Sequence, residues 1–378
     1  MSNLFNTISV TKVANLRTGD SNSEDCLDDG VYPFFDRSSL VKKTNRFLFD
    51  SPAIIVPGEG KDFYPRFYKG KFGLHQRAYA LIPSSSIDPK FLYYAVYATK
   101  EHFSLVSVGS TVQSLRRASF DSLFIPYPSY SEQKSISEIL SSLDDKIDLL
   151  NRQNATLEEL AQTYFRRLFF IETSQNIECL KLDEWVTCVN GVSYKGIDLK
   201  PSRTALVTLK NFNRTGGIRM DGFKEYSGFF KSNHEVFERD LVVAHTDITQ
   251  GAEVIGNPIM VFKPDKYDRL VISMDLVKVI SKKTYISKDF LYFLMKTKEF
   301  KQHCIGFSNG STVLHLSKKA IPSFEFPKTT EKKIHDFNIF AVSTMDKIFL
   351  NLKAIITLES LRDTLLPKLI SGEVRVRQ

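Results

Sequence analysis

The sequence predicts an α+β fold: two similar mixed α/β domains separated by an antiparallel coiled coil of two long helices, with a pseudo-two-fold internal duplication. Three observations predict it. Segments about 200 residues apart repeat in the same order. The first part of each copy consists of short β-branched and aromatic runs broken by Gly, Pro and Asn/Asp. Each copy then ends in a long stretch of heptad-spaced apolar residues.

A repeat of this length indicates a duplicated module, far longer than a solenoid unit. Phe91-Leu92-Tyr93-Tyr94 is echoed by Phe290-Leu291-Tyr292-Phe293, and Gly109-Ser110-Thr111-Val112 by Gly310-Ser311-Thr312-Val313. Leu115 is matched by Leu316, and Phe124-Ile125-Pro126-Tyr127-Pro128 by Phe324-Glu325-Phe326-Pro327. Further on, Glu132-Gln133-Lys134 answers Glu331-Lys332-Lys333, Asp145-Lys146-Ile147 answers Asp346-Lys347-Ile348, and Leu157-Glu158-Glu159-Leu160 answers Leu358-Glu359-Ser360-Leu361. The predicted partition is a first head at 1–130, a first helix at 131–172, a second head at 173–328, and a second helix with tail at 329–378.

In the heads, Ala53-Ile54-Ile55-Val56 and Leu241-Val242-Val243-Ala244 read as strands, with turns at Pro57-Gly58-Glu59-Gly60 and Arg214-Thr215-Gly216-Gly217. Helices are expected over 88–102 and 287–303. The first long helix opens at Ser131-Glu132-Gln133, and no Gly or Pro follows up to residue 170. Its seam runs Ile136, Leu140, Leu143, Ile147, Leu150, Asn154, Leu157, Ala161, Tyr164 and Leu168, in alternating steps of four and three. Asn154 either fixes register as a buried amide or marks a turn facing solvent. The second seam runs Ile334, Phe337, Ala341, Met345, Ile348, Leu352, Ile355, Leu358, Leu361 and Leu365, with Pro367 expected to end or kink the helix. The short link between first helix and second head makes the helices antiparallel. At about 60 Å for 40 residues, the pair would act as a ruler between the heads.

Composition excludes several classes. With 42% hydrophobic and 25% charged residues, the chain is an ordinary globular sequence. No run reaches the roughly 18 apolar residues of a membrane span, and residues 1–16 lack the pattern of a secretory signal. Cys26, Cys179, Cys188 and Cys304 are scattered, which suits buried thiols in a reducing cytoplasm. The formal charge is +8, with the excess on the heads and the extreme C-terminus; residues 131–170 carry net −2. This points to a polyanionic partner. There is no Pro-Pro dipeptide, no Gly-x-Gly-x-x-Gly, no P-loop and no His-Glu-x-x-His. Asp50 with Glu59-Gly60-Lys61 only faintly matches a nuclease triplet, which arises easily by chance.

The ordered repeats carry a resemblance. The two Gly-Ser-Thr-Val segments each precede a proline-bounded strand. Ser131-Glu132-Gln133-Lys134 and Thr330-Glu331-Lys332-Lys333 open the helices, Asp240-Leu241-Val242-Val243-Ala244 is followed by Thr246-Asp247, and the chain closes on Leu365-Leu366-Pro367-Lys368-Leu369-Ile370-Ser371-Gly372-Glu373. Over essentially its whole length the sequence resembles the specificity subunit of type I restriction–modification systems. The resemblance implies that the heads recognise a bipartite double-stranded DNA target and that the helices dock two methyltransferase subunits, to which two restriction subunits can add. It also implies that the chain holds no cofactor of its own: S-adenosylmethionine belongs to the methyltransferase and ATP to the nuclease-translocase. Catalytic, cofactor and metal residues are therefore expected to be absent, and the chain is expected to act in the cytoplasm. Gln113 and Leu115-Arg116-Arg117 are replaced by Leu314 and Leu316-Ser317-Lys318, so the heads are expected to differ in detail.

DNA contacts are expected from small hydroxyl residues, backbone amides and cations at phosphates, and from Arg, Lys, Asn and Gln at base edges. The shared candidates are Ser110, Thr111, Gln113, Arg116 and Arg117, with Ser311, Thr312, His315, Lys318 and Lys319 in the second copy. The first head adds Arg37, Lys69, Lys71, His75, Gln76 and Arg77, with Lys69-Gly70-Lys71-Phe72-Gly73 read as a basic hairpin. The second adds Lys210, Asn211, Asn213, Arg214, Arg219, His245, Thr246 and Asp247. Two other classes stay open: a coiled-coil scaffold with two protein-binding heads, and a DNA-modifying enzyme in its own right.

Overall fold

A computed structural model describes residues 4–60, 62–171, 178–214, 216–249, 251–310 and 312–376. The chain divides into two compact units, one formed by residues 1–150 with 354–378 and the other by residues 151–353. Both are mixed α/β, and each long helix contributes to both.

In the first unit a six-stranded sheet has the order Ala14–Thr18, Ala78–Pro83, Phe49–Pro57, Arg66–Leu74, Tyr32–Phe35, Lys42–Thr44. All neighbours are antiparallel except Tyr32–Phe35 with Arg66–Leu74. The expected strand at 53–56 forms its buried centre. The expected basic hairpin at 69–73 is instead part of the continuous strand Arg66–Leu74, with Lys69 opposite Pro52 and Lys71 opposite Asp50. Alternation of Tyr68, Phe72 and Leu74 with exposed lysines gives these residues a buried face that a turn could not use. The helix expected over 88–102 is two, Pro89–Ala98 and Glu101–Val106. Asp88 caps the first, its carboxylate accepting the Phe91 N–H at 2.8 Å.

The second unit repeats this plan in altered form. Val186–Asn190, Leu276–Ser281, Leu241–Ala244 and Pro258–Met260 form an antiparallel sheet. A second sheet has the order Lys224–Glu225, Thr204–Val207, Arg269–Ile272, Glu235–Val236. Helices Lys288–Met295 and Lys298–Gly306 follow, and Ser287 caps the first through the Phe290 N–H at 2.9 Å. Thr7–Ser9 pairs Phe124–Pro126 in one unit, and Cys179–Lys181 pairs Glu325–Pro327 in the other. The proline-bounded segments read from the repeat are therefore the same edge strand in both copies.

The long helices are Tyr130–Arg166, closed by a wide turn at Arg167–Ile171, and Glu331–Ser371. The first starts one residue before the expected Ser131. Ser129 and Glu132 form a reciprocal cap, with the Ser129 N–H donating to Glu132 Oε2 at 3.2 Å. Pro367 does not end the second helix, which continues to Ser371; Leu366, Leu369 and Ile370 around it are buried in the first unit's core.

Within each unit the two helical segments run antiparallel. In the first, Ile147 and Leu150 pack with Ile355 and Leu358, while Asp144 accepts from Arg362 at 2.9 Å. Ile136 and Leu140 are buried with Leu366 and Leu369, and Leu143 is half-buried. In the second, Asn351 faces Asn154, and Tyr164 packs on Phe337 and Phe340. Asn154 thus settles as a half-buried amide partnered across the helices rather than a solvent-facing turn. Its Oδ1 accepts from Asn351 Nδ2 at 2.8 Å, and the same amide donates to Gln153 Oε1 at 2.9 Å. Ile334, Ala341, Met345, Ile348 and Ile355 are buried, and Leu352 and Leu157 half-buried.

The seam departs from the heptad pattern at two places. Near residue 165 the buried stripe moves by one position. Tyr164 is 36% exposed, whereas Phe165 and Phe169 are fully buried among Phe290, Phe326 and Phe337. Their larger rings fill the second unit's aromatic core, and this outweighs the heptad step. Leu361, expected on the seam, is 44% exposed.

Candidate nucleic-acid interface

The Gly-Ser-Thr-Val segments are hairpin turns. Val108 and Ser114 exchange backbone hydrogen bonds at 3.0 and 2.8 Å, and Ser308–Asn309 pairs with Leu314–Leu316. Gly109 and Gly310 adopt φ of +117° and +125°. A Cβ would lie 2.3 Å from the Val112 carbonyl oxygen in one and 2.0 Å from that of Val313 in the other. Both features require glycine, which is why the motif recurs. Ser110, Thr111, Gln113 and Thr312 are exposed; Ser311 lies outside the described residues.

The returning strand of each hairpin docks on the end of a central strand. Leu115 N–H donates to the Gly58 carbonyl at 2.8 Å, and Leu316 N–H to that of His245 at 2.8 Å. Behind the hairpins lie Arg116 and Arg117 in one unit and Lys318 and Lys319 in the other, all exposed. Arg117 makes only a loose ion pair with Asp121 at 3.9 Å. Sequence reasoning missed the staple beneath. His102 Nε2 bonds the Ser119 carbonyl at 3.2 Å and Ser122 Oγ at 3.1 Å, as His303 Nε2 bonds the Ala320 carbonyl at 2.9 Å and Ser323 Oγ at 3.3 Å. A His at the same place in both copies was the available signal.

In the first unit three segments bring Arg37, Glu59 and Arg77 together. Arg37 Nη1 donates to Glu59 Oε2 at 3.2 Å and Arg77 Nη1 to Glu59 Oε1 at 2.8 Å. In sequence Glu59 is only a member of the chance nuclease triplet; in the fold both its oxygens are occupied by arginines, and Lys61 lies outside the described residues. His75 is nearly buried, its Nδ1 accepting the Arg77 N–H at 3.0 Å. Burial pushes its imidazole below the ordinary value, and Arg37 and Arg77 add to the effect. Gln76 donates to Asn22 at 2.5 Å. Lys69 and Lys71 are exposed elsewhere on their strand, with Lys71 over the Phe47 ring.

In the second unit the structure moves three candidates inside. Asn211, fully buried, accepts the Thr208 N–H at 2.8 Å and donates to the Arg219 carbonyl at 3.0 Å. Thr246 bonds Asp275, and Asp247 accepts from Thr249 N–H and Oγ1 and from the N–H groups of Val254 and Ile255. Burial would raise the Asp247 carboxyl, but these hydrogen bonds outweigh it and hold it below the usual range. Their polar atoms are engaged within local loops.

Lys210, Asn213, Arg214, Arg219 and His315 are exposed, with Arg214 paired to Glu253 at 3.0 Å and Arg219 forked onto Asp221. His245 lines a cleft of about 640 Å³ with Lys318, Lys282, Asn190 and Asn233; its Nε2 is buried without a hydrogen-bond partner among the described residues. Burial, followed by His315 and Lys318, pushes its imidazole below the ordinary value. Among the described residues no group of three His, Cys, Asp or Glu could hold a metal, and no helix is long and apolar enough to cross a membrane.

Residues 4–159 match the model of the type I restriction modification DNA specificity domain. The chain is 24% identical over 360 residues to the type I restriction enzyme MjaIX specificity subunit of Methanocaldococcus jannaschii, covering 89% of this chain and 81% of that protein. It is 31% identical over 184 residues to the EcoDI specificity subunit of Escherichia coli, covering 48% of this chain and 39% of that one. The fold is similar to the crystal structure of a type I restriction–modification S subunit from M. genitalium, with a TM-score of 0.61 at 20% identity, covering 97% of this chain and 96% of that one.

Proposed function

The chain belongs with the type I specificity subunits, and from that premise we propose that it reads a bipartite DNA target for a restriction–modification complex. The observation that carries this is the duplicated glycine hairpin, set in each unit on the end of a central strand with exposed cations behind it. One such element reads a short stretch; two, on units whose neighbouring residues differ, suit two unlike half-sites. In this reading residues 1–130 and 173–328 are the recognition domains. The helical segments 131–172 and 329–378 set the unread spacer and dock two methyltransferase subunits, with restriction subunits joining through the assembled complex.

Backbone neutralisation falls to Ser110, Thr111, Arg116 and Arg117 and to Ser311, Thr312, Lys318 and Lys319. Readout falls to exposed side chains around each hairpin, among them Arg37, Arg77 and Gln113 in the first copy and His315, Arg214 and Lys210 in the second. Methyl transfer to adenine and cleavage belong to partner chains that hold S-adenosylmethionine and ATP, and the complex acts in the cytoplasm.

The test is single-molecule methylation sequencing of host cells with and without this chain. A split adenine motif that disappears with the chain is the expected result. An unchanged methylome, or purified chain that methylates DNA alone, would overturn the reading. Inserting one heptad into both helices is expected to lengthen the spacer while leaving both half-sites unchanged.

A further inference from the structure

The charged patch around Glu59 is built, and we infer that it is a guanine-reading element for the half-site contacted by the first unit. Arg37 and Arg77 present guanidinium groups to base edges, and Glu59 is the positioning residue that holds both. The inference rests on the DNA-reading function proposed above and adds the chemistry of one half-site.

Each of the three segments is pinned by its backbone. The Arg77 carbonyl accepts the Gly58 N–H at 2.9 Å while its own N–H donates to His75. A Cβ at Gly58 would lie 2.4 Å from the Arg77 carbonyl oxygen, so these segments approach closer than a side chain there permits. Arg37 sits in a turn closed by buried Asp36, which accepts the Ser38 N–H at 2.7 Å and Ser38 Oγ at 2.6 Å and pairs with Lys42 at 2.8 Å. Gly60, at φ +135°, donates its N–H to the Gln113 carbonyl at 3.0 Å, which joins the patch to the hairpin.

The carboxylate is recessed and the cations project. The Glu59 side chain is 15% exposed, against 61% for Arg37 and 58% for Arg77. Each arginine uses one Nη1 on the carboxylate, and its remaining N–H groups have no protein partner among the described residues. The carboxylate cancels half the charge of the pair, which weakens its attraction for phosphate. What remains is directional: forked donors that match O6 and N7 of guanine in the major groove, in a planar fork that the lysine ammonium does not reproduce. Among the described residues the second unit has no such pair at the equivalent strand end. His245-Thr246-Asp247 stands there, and the Asp247 carboxylate is consumed internally. The two half-sites are therefore read by different chemistry.

The experiment is selection and sequencing of random duplexes by the full chain assembled with the methyltransferase subunits of its host. The native complex is compared with Arg37→Lys, Arg77→Lys and Glu59→Gln, all exposed or conservative changes. The lysine variants should lose guanine enrichment at positions of one half-site by about tenfold. They should keep the other half-site, the spacer and the salt dependence, because charge is retained. Glu59→Gln should lose the same guanine preference without losing overall affinity. Guanine preference retained in all three variants overturns the inference, as does a uniform loss across sequences, which marks a phosphate contact. Preference kept in Glu59→Gln alone overturns the positioning role. A native complex that selects no sequence overturns the proposed function and this inference with it.

Discussion

Replacing Gly109 or Gly310 by Ala tests whether each hairpin serves one half-site. At φ +117° and +125° an L-residue is strained, at about 1–3 kcal/mol. The new methyl would also stand 2.3 or 2.0 Å from a backbone carbonyl, which cannot swing away as a flexible side chain could. The strain falls on few bonds: the Val108–Ser114 pair and the Leu115–Gly58 bond in the first unit. Relief by opening the turn would cut the population of the closed hairpin by about 5–150-fold at that energy. Footprinting on a bipartite target would read the outcome, with amide exchange on the hairpin as the structural control. Gly109→Ala should weaken protection of one half-site and Gly310→Ala the other, with the melting temperature nearly unchanged. If exchange shows the hairpin open while both half-sites stay protected, the hairpin is not at the DNA and the reasoning fails.

Three further expectations follow from the same geometry. Arg116→Ala with Arg117→Ala should weaken binding across all sequences and flatten the dependence of log K on log[salt], by about 0.9 for each phosphate no longer neutralised; an unaltered slope would place these exposed cations away from the backbone. Asn351→Leu should cost about 1–3 kcal/mol in denaturant unfolding, because it strips the donor from Asn154 and Gln153. Combining it with Asn154→Leu should recover most of that stability, and additive destabilisation would count against a coupled pair. The depressed Asp247 carboxyl contributes stability that is present above the ordinary carboxylate value of 3.8 and lost as pH falls through its lower folded value. Asp247→Asn should therefore be less stable than the native chain at neutral pH, with the gap narrowing on acidification below about pH 4, as melting curves would show.

The parts legible in the sequence were those under a local constraint. The hairpin turns repeat because their backbone admits only glycine, and the helices announce themselves because a buried stripe must recur every three or four residues. What escaped reading was decided by packing and by contacts between residues that are not adjacent. Phe165 and Phe169 took the core position from Tyr164 and Leu168 because rings from three other segments wait there. Glu59 sits next to neither Arg37 nor Arg77 in sequence; the sheet delivers all three to one place. Asn211 and Asp247 look like surface amides and acids, yet the donors and acceptors that bury them lie up to eight residues away in folded loops. The strand at Arg66–Leu74 resembles a hairpin in sequence because Lys-Gly-Lys has the composition of a turn, while its alternation with Tyr68 and Phe72 has the period of a strand.

The first unit takes residues from both ends of the chain, whereas the second is one uninterrupted stretch. Leu4 N–H donates to the Ser371 carbonyl, Arg375 reaches Glu132, and Leu366, Leu369 and Ile370 complete the core around Ile136 and Leu140. The first unit thus depends on residues made long after its own. Emerging chains usually fold from the N-terminus, but the first unit's core needs Leu366, Leu369 and Ile370, whereas residues 151–353 form their unit without that segment. A premature stop near residue 353 would strike not the nearest unit but the one made earliest.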